Sequence, residues 1–195
     1  MSNLGRHGQA LEAVDRALKL DPLSSFNGAM KGQFLFCAGR YPQAIEHMHK
    51  ALELEPNFWI GQLVLGRSYQ SEERYEEALA AFRKAKQFSD GSAAVSLIGY
   101  THAVAGRREE AERTLRELRA ISKKKYVPPY NIALLYHGLG NSDETLRWLE
   151  RAYEERDVRM VFLGVDPNWD ALRTDRRFID LLARMKLPKD RALHR

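Results

Sequence analysis

The chain has 195 residues, of which 44% are hydrophobic, with a formal net charge of +5 and a single cysteine, Cys37. No apolar stretch approaches the roughly 18 residues of a transmembrane helix, and a lone cysteine excludes an intramolecular disulfide and a cysteine-based zinc site. Because residues 1–8 also lack the apolar run of a signal peptide, we expect a cytoplasmic protein that does not contact a membrane.

A small residue returns along the chain at a nearly constant interval. The positions are Ala10, Ala44, Ala78 and Ala111, and Thr145 continues the series at the same interval. A glycine stands five residues before four of these five positions, as Gly5, Gly39, Gly106 and Gly140. A period of about 34 residues predicts stacked helix-turn-helix units, which form an all-α solenoid.

The second copy of the repeat shows how one unit is built. Gly39 suits the left-handed position that ends a helix, because it has no Cβ. Pro42 suits the first turn of the next helix, where its missing N–H is not needed. Ala44 and Met48 then recur at helical spacing and share one face. Pro56 ends that helix, so the unit is a helical hairpin.

The third copy is similar to a known family. Leu65-Gly66-x-x-Tyr69, followed by Ala78-x-x-x-Phe82, resembles the tetratricopeptide repeat pattern, and the resemblance extends over residues 1–157. It implies that small residues lie where the two helices of a hairpin cross and that aromatic residues fill the wedge between hairpins. On that basis we expect five aromatic residues to pack in the core: Tyr41, Tyr69, Tyr75, Phe82 and Trp148.

The first unit is incomplete. A half unit occupies residues 1–22, with a lone helix at about 8–19, and full units occupy about 25–58, 59–92, 93–126 and 127–157. The lone helix is expected to expose part of an apolar face formed by Leu11, Val14, Ala17 and Leu18. Either the chain is the C-terminal part of a longer protein, which we favour, or a second copy covers that face.

The repeat pattern is no longer recognisable after Asp157. Residues 158–188 are predicted to form a short helix and then a capping helix, which Thr174 or Asp175 begins as N-cap. An apolar stripe on that helix covers the end of the stack and consists of Phe178, Leu181, Leu182 and Met185. The segment 164–188 resembles the closing segment of tetratricopeptide arrays in large bacterial regulators. In those proteins the array follows a winged-helix DNA-binding, Ser/Thr kinase or nucleotide cyclase domain.

The positive charge lies at the C-terminal end. Residues 173–195 hold eight Lys or Arg and three Asp residues, and this excess of five equals the net charge of the chain. A basic end, including the predicted basic tail at 189–195, can contact nucleic acid weakly. No base-reading motif accompanies it, so we favour a solvated capping helix without a nucleic-acid partner.

Signals for catalysis and metal binding are missing from the sequence. His47 and His49 stand two residues apart on a predicted helix, which points them about 200° apart and prevents them from sharing a metal ion. Glu76 and Glu77 begin a predicted helix, where acids complement the helix dipole. We therefore predict no catalytic residue, no metal site and no cofactor.

The resemblance to the family also implies where a partner binds. Ligand contacts in that family come mainly from the first helix of each unit, on the concave face of the stack. Carried over, these positions give the candidates Phe26, Gln33, Phe36, Arg67, Gln70, Tyr100, Tyr130, Asn131 and His137. Only Arg67 and Asn131 suit the clamp with which some arrays hold the C-terminal carboxylate of heat-shock chaperones, so we do not expect that clamp. Arg67 is instead predicted to pair with an acidic side chain of a partner.

The sequence thus indicates a non-enzymatic interaction module that binds a peptide or protein segment in its concave groove. It is expected to be the C-terminal part of a larger bacterial protein. Two alternatives stay open: an array that regulates an upstream DNA-binding, kinase or cyclase domain, and a module that self-associates through the N-terminal half unit. An enzyme or small-molecule binder would need a deep polar pocket with perturbed ionisable groups.

Overall fold

The structure is a computed structural model that describes residues 1–89 and 91–188, and these residues form α-helices and 3₁₀ turns without a strand. The α-helices are α1 His7–Leu20, α2 Ser25–Cys37, α3 Tyr41–Leu54, α4 Trp59–Ser71, α5 Tyr75–Gln87, α6 Ser92–Val104, α7 Arg108–Ser122, α8 Pro129–Gly138, α9 Ser142–Glu154 and α10 Arg176–Arg184. Short 3₁₀ turns lie at Ser2–Leu4, Val158–Phe162 and Pro167–Leu172.

Successive helices pair into antiparallel hairpins that stack on one another. The pairs are α2–α3, α4–α5, α6–α7 and α8–α9, and α1 packs on α2. The first helices α2, α4, α6 and α8 also contact one another in sequence, so they line one face of the stack. This architecture confirms the predicted all-α solenoid of tetratricopeptide-like hairpins.

The turn inside each hairpin has one backbone geometry. Gly39 adopts φ +75°, and its neighbour Arg40 donates its backbone N–H to the carbonyl of Leu35 at 2.9 Å. Glu73, at the equivalent position of the next unit, takes the same left-handed conformation with φ +58°. Arg74 likewise donates its N–H to the carbonyl of Tyr69 at 3.0 Å. The repeat therefore keeps the turn even where its glycine is lost, although this conformation is strained for a residue with a Cβ.

The two helices of a hairpin cross closely at small residues, as the repeat pattern predicts. A Cβ placed on Gly66 of α4 would lie 2.4 Å from the ring of Phe82 of α5. Phe82 is fully buried, and so is Ala78 one turn before it. The ring cannot move aside in a close-packed interior, so position 66 accepts no side chain.

Replacing Gly66 with alanine is therefore expected to destabilise the fold. We expect the free energy of unfolding to fall by about 1–3 kcal/mol, because overpacking forces side chains and backbone apart. Urea denaturation measures this change. Gly8→Ala is the matched control, since nothing lies within 4 Å of a Cβ at that helical position. That control should leave stability unchanged or slightly raised, and equal effects of the two changes would contradict the packing argument.

The neighbouring hairpin covers part of the predicted apolar face of the N-terminal helix. Leu11 and Val14 of α1 are buried, whereas the other two residues of that face, Ala17 and Leu18, stay partly exposed. Leu11 packs against Leu35 of α2 and Ala44 of α3. The half unit thus uses the neighbouring hairpin as its partner.

A capping helix, as predicted, is the last helix of the described residues. Helix α10 packs against α9, and its residues Phe178, Leu181 and Leu182 are fully buried. The carboxylate of Asp175 accepts the backbone N–H of Arg177 at 2.8 Å and begins the helix as N-cap. The predicted basic tail at 189–195 lies outside the described residues.

The segment before α10, residues 158–172, differs from the short helix that was predicted. It forms two 3₁₀ turns, which Asp157 and Asp166 cap by accepting backbone N–H groups. Pro167 begins the second turn and prevents one continuous α-helix from forming across the segment. We call residues 158–172 the return segment, because their side chains reach back to the first helices of the stack.

Candidate functional site

The return segment lies against the concave face of the stack. Trp169, Val165 and Leu163 are fully buried. Val165 packs with Phe36 of α2, while Trp169 and Leu163 belong to the main core with residues of α4, α6 and α8. The chain therefore covers a large part of its own groove.

A buried ion pair joins the return segment to the middle of the groove. Arg67 of α4 donates from Nη2 to Oδ2 of Asp166 at 2.5 Å, with side chains 15% and 4% exposed. Burial lowers the pKa of Arg67, but attraction by Asp166, Tyr130 and Cys37 and the hydrogen bond to Asp166 together outweigh it and hold the pKa above its usual value. Asp166 also accepts the Tyr130 hydroxyl at 3.1 Å. The central positive charge of the groove is thus neutralised within the chain.

Helix α2 holds the guanidinium of Arg67 in place. Arg67 Nη1 donates to Oε1 of Gln33 at 3.0 Å, and its guanidinium carbon lies 4.1 Å from the centre of the Phe36 ring. Such stacking is favourable through the ring quadrupole. Phe36 is fully buried, so its role is to orient Arg67 rather than to present an aromatic surface.

An aromatic cluster anchors the other end of the return segment. Trp169 donates its indole N–H to the Tyr130 hydroxyl at 2.9 Å. His137 lies between Trp169 and Tyr100, with ring centres 5.1 and 6.1 Å apart respectively. Burial raises the pKa of Tyr130 and of Tyr100 and lowers that of His137. These rings therefore stay uncharged at neutral pH.

Stability is expected to fall as the pH drops below neutral. Burial lowers the pKa of His137, and also that of His47 and of His102, whereas the unfolded chain takes up protons near the ordinary value of about 6.5. The unfolded state then binds more protons, so the free energy of unfolding decreases as pH falls through that range. Urea denaturation between about pH 7.5 and 5 measures this. His137→Gln should make the decrease shallower, and an unchanged slope would contradict the assignment.

Two amides complete the contacts between the stack and the return segment. Gln70 of α4 donates to Oδ1 of Asn168 at 3.1 Å and accepts the hydroxyl of Thr101 at 3.0 Å. Asn131 of α8 accepts a hydrogen bond from Nη1 of Arg159 and donates to Oγ of Ser92 at 2.7 Å. Both amides are buried and already bonded.

The nine predicted partner-binding residues thus gather on one face, but most of them contact the chain itself. Arg67, Gln70, Tyr130, Asn131 and His137 contact the return segment directly, and Phe36 packs with Val165. Gln33 and Tyr100 do so indirectly: Gln33 accepts a hydrogen bond from Arg67, and the Tyr100 ring stacks on His137. Phe26, which is 60% exposed, is the predicted residue that remains open to solvent. Contact of the nine with a partner stays a prediction.

Sequence reasoning missed the residues that the return segment brings into the groove. They are Arg159, Phe162, Asp166, Asn168 and Trp169. The Asp-Pro-Asn-Trp sequence at 166–169 is the signal that points to them, since an Asp before a proline begins a turn and a large aromatic next to it seeks burial.

An apolar cavity of about 240 Å³ remains between the stack and the return segment. Its wall comes from α2, α4, α6, α8 and the return segment. Its apolar lining includes Met30, Leu63, Leu97, Leu134 and Phe162, with Phe26 exposed beside it. Arg159 contributes a guanidinium to the same wall. The arrangement suits a mostly apolar group.

Neither a metal site nor a membrane span is found in the described part of the chain. No group of three or more His, Cys, Asp or Glu in residues 1–89 and 91–188 is arranged to hold a metal ion. None of the helices in those residues is long and apolar enough to cross a membrane.

Comparison with known families identifies the repeats. Residues 30–94 and residues 95–117 each match a tetratricopeptide repeat model. These matches support tetratricopeptide repeats in residues 30–117, which is slightly less than half of the chain. Proteins of this class are generally non-enzymatic scaffolds and protein-interaction modules. No curated protein matches the chain.

Solved structures show the same fold. TTC0263, a thermophilic tetratricopeptide protein of Thermus thermophilus, is 24% identical with a TM-score of 0.63, over 83% of this chain and 91% of that one. YrrB, described as a tetratricopeptide protein with an unusual peptide-binding site, is 17% identical with a TM-score of 0.52. The match covers 89% of this chain and 91% of the YrrB chain. A chain of the APC/C hetero-tetramer Cut9–Hcn1 is 13% identical with a TM-score of 0.55, over 94% of this chain but 46% of that longer one.

Proposed function

We propose that this chain is a non-enzymatic interaction module that binds a segment of a partner protein in the open part of its concave groove. The observation that carries the proposal is the apolar cavity of about 240 Å³ that the return segment leaves open beside Phe26. Pockets for small molecules usually measure about 300–1,000 Å³, so this one suits one or two side chains of a peptide better than a whole ligand. The peptide-binding site named for YrrB supports the same use of the fold.

Selection from a displayed library of random peptides of about 12 residues tests the proposal. Wild-type protein is expected to enrich related sequences that place a large apolar residue at a fixed position. Phe26→Asp should abolish the enrichment, because it puts a charge beside an apolar cavity at a site too exposed to affect folding.

Phe88→Asp is the matched control, because Phe88 is also exposed and follows α5, a helix away from the groove. It should retain the enrichment. Failure of the wild type to enrich any sequence family would overturn the proposal.

Self-association is a second candidate function, which exposed apolar residues at the N-terminal end favour. Leu20, the last residue of α1, and Leu23, between α1 and α2, are 89% and 73% exposed. Light scattering at two protein concentrations tests this, and a mass that stays that of a monomer argues against it. Regulation of an upstream domain, a larger bacterial parent protein and a cytoplasmic location stay predictions.

A further inference from the structure

Arg159 differs from the other arginine of the groove in forming no ion pair among the described residues. Both side chains line the apolar cavity. Arg67 is paired with Asp166, whereas Arg159 donates from Nη1 to Asn131 and forms no ion pair with any carboxylate in residues 1–89 and 91–188. A guanidinium has five N–H donors in a planar fork, so most of its capacity is unused.

The two carboxylates that attract Arg159, those of Asp157 and Asp166, form no ion pair with it and accept hydrogen bonds from other groups. Asp157 accepts the backbone N–H groups of Tyr130 at 3.3 Å and of Arg159 itself at 3.0 Å. Asp166 accepts from Arg67, from Tyr130 and from the backbone of Asn168. Burial lowers the pKa of Arg159 and repulsion by Arg67 acts in the same direction, while attraction by Asp157 and Asp166 opposes them in part. An added carboxylate would supply the ion pair that Arg159 does not form with the described residues.

The cavity wall thus combines an apolar surface with one cation that forms no ion pair among the described residues. We propose that the groove selects a peptide segment in which a large apolar side chain enters the cavity and a neighbouring Asp or Glu pairs with Arg159. This specificity rests on the proposed function. Carboxylates bind guanidinium through two parallel hydrogen bonds, which makes the pair both strong and directional. Arg159 comes from the return segment rather than from a repeat helix, so this contact is particular to the way the chain folds back.

Paired peptides and variants test the specificity. From the library described above, one enriched peptide is synthesised in two forms, with its acidic residue and with the corresponding amide. We expect the amide form to bind wild-type protein at least about tenfold more weakly. Arg159→Gln should weaken the acidic peptide by a similar factor and should no longer distinguish the two forms.

Arg83→Gln is the matched control, since it removes the same charge from an exposed position on α5. It should bind like the wild type. Because the comparison of the two peptides on wild-type protein needs no variant, the test holds even if Arg159→Gln fails to fold.

The outcomes separate the two proposals. Enriched peptides that lack an acidic residue, or that bind equally well in acidic and amide form, would overturn the role of Arg159 while the proposed function stands. Decanoate is added as a third probe, and tight binding of this fatty acid with no enriched peptide would overturn both. The pairing of the acidic residue with Arg159 would be supported if Arg159→Gln bound the acidic and amide peptides equally while Arg83→Gln still preferred the acidic one.

Discussion

Replacing Trp169 with alanine should lower the free energy of unfolding by about 3–5 kcal/mol, the range for deleting a buried large aromatic. Trp169 is fully buried, donates to Tyr130 and packs its ring on His137. The change removes the anchor of the return segment and leaves a cavity at the centre of the groove. Urea denaturation followed by circular dichroism measures the loss.

Val158→Ala is the control for Trp169→Ala, because Val158 belongs to the same segment but is 80% exposed. Changes at exposed positions usually stay within about 0.5 kcal/mol. A small effect of Trp169→Ala, comparable to that of the control, would mean that the return segment is not a fixed part of the fold.

Replacing Asp166 with asparagine is expected to have an effect of similar size, about 3–5 kcal/mol, because it leaves the charge of Arg67 buried without its acidic partner. Asparagine keeps the shape of the side chain and an oxygen for the cap of the second 3₁₀ turn. The loss therefore reports on the charge rather than on the turn. Urea denaturation again measures it.

A double-mutant cycle with Arg67→Met isolates the pair. We expect the double variant to be more stable than the sum of the two single effects implies, since removing both charges leaves neither unpaired. Glu117→Gln, which breaks the exposed ion pair with Lys86, should change stability little. Strict additivity of the two single changes would contradict a direct Arg67–Asp166 interaction.

The repeat portion of the fold could be predicted well because its rules are local. The spacing of Ala44, Ala78 and Ala111 sets the hairpin period, and the turn at Gly39 ends a helix in the structure as expected. The stripe of Phe178, Leu181 and Leu182 likewise identified the capping helix. Each of these signals depends on residues close together in the sequence, where helical periodicity determines which face is buried.

The groove could be predicted only in part, because its occupant comes from a distant part of the chain. Arg67 and Asp166 are separated by 99 residues, and nothing in the repeat pattern indicates that they meet. Arg67 was predicted to pair with an acidic residue of a partner, and the structure gives it an acidic residue of its own chain. The chemistry of the contact was thus readable from the sequence, but the source of the carboxylate depends on tertiary structure.

The groove residues already bonded within the chain also affect how binding is tested. Arg67 and Tyr130 hold the return segment, so substituting either perturbs the fold before it tests a partner contact. Phe26 is the better probe for a variant, because it is exposed, whereas Arg159 also bonds Asn131 and is tested first by the paired peptides on wild-type protein. These two probes separate the open part of the groove from the part that the chain fills.

The central claim is that the return segment permanently fills part of the groove. The most direct test follows the three tryptophan indole N–H signals and the backbone amides by NMR while an enriched peptide is added. We expect shifts around Phe26, Leu63 and Arg159, with the Trp169 indole N–H keeping its hydrogen-bonded position. Movement of the Trp169 signal to that of a solvent-exposed indole would show that the peptide displaces the return segment. That result would contradict the view that this segment is a permanent wall of the binding site.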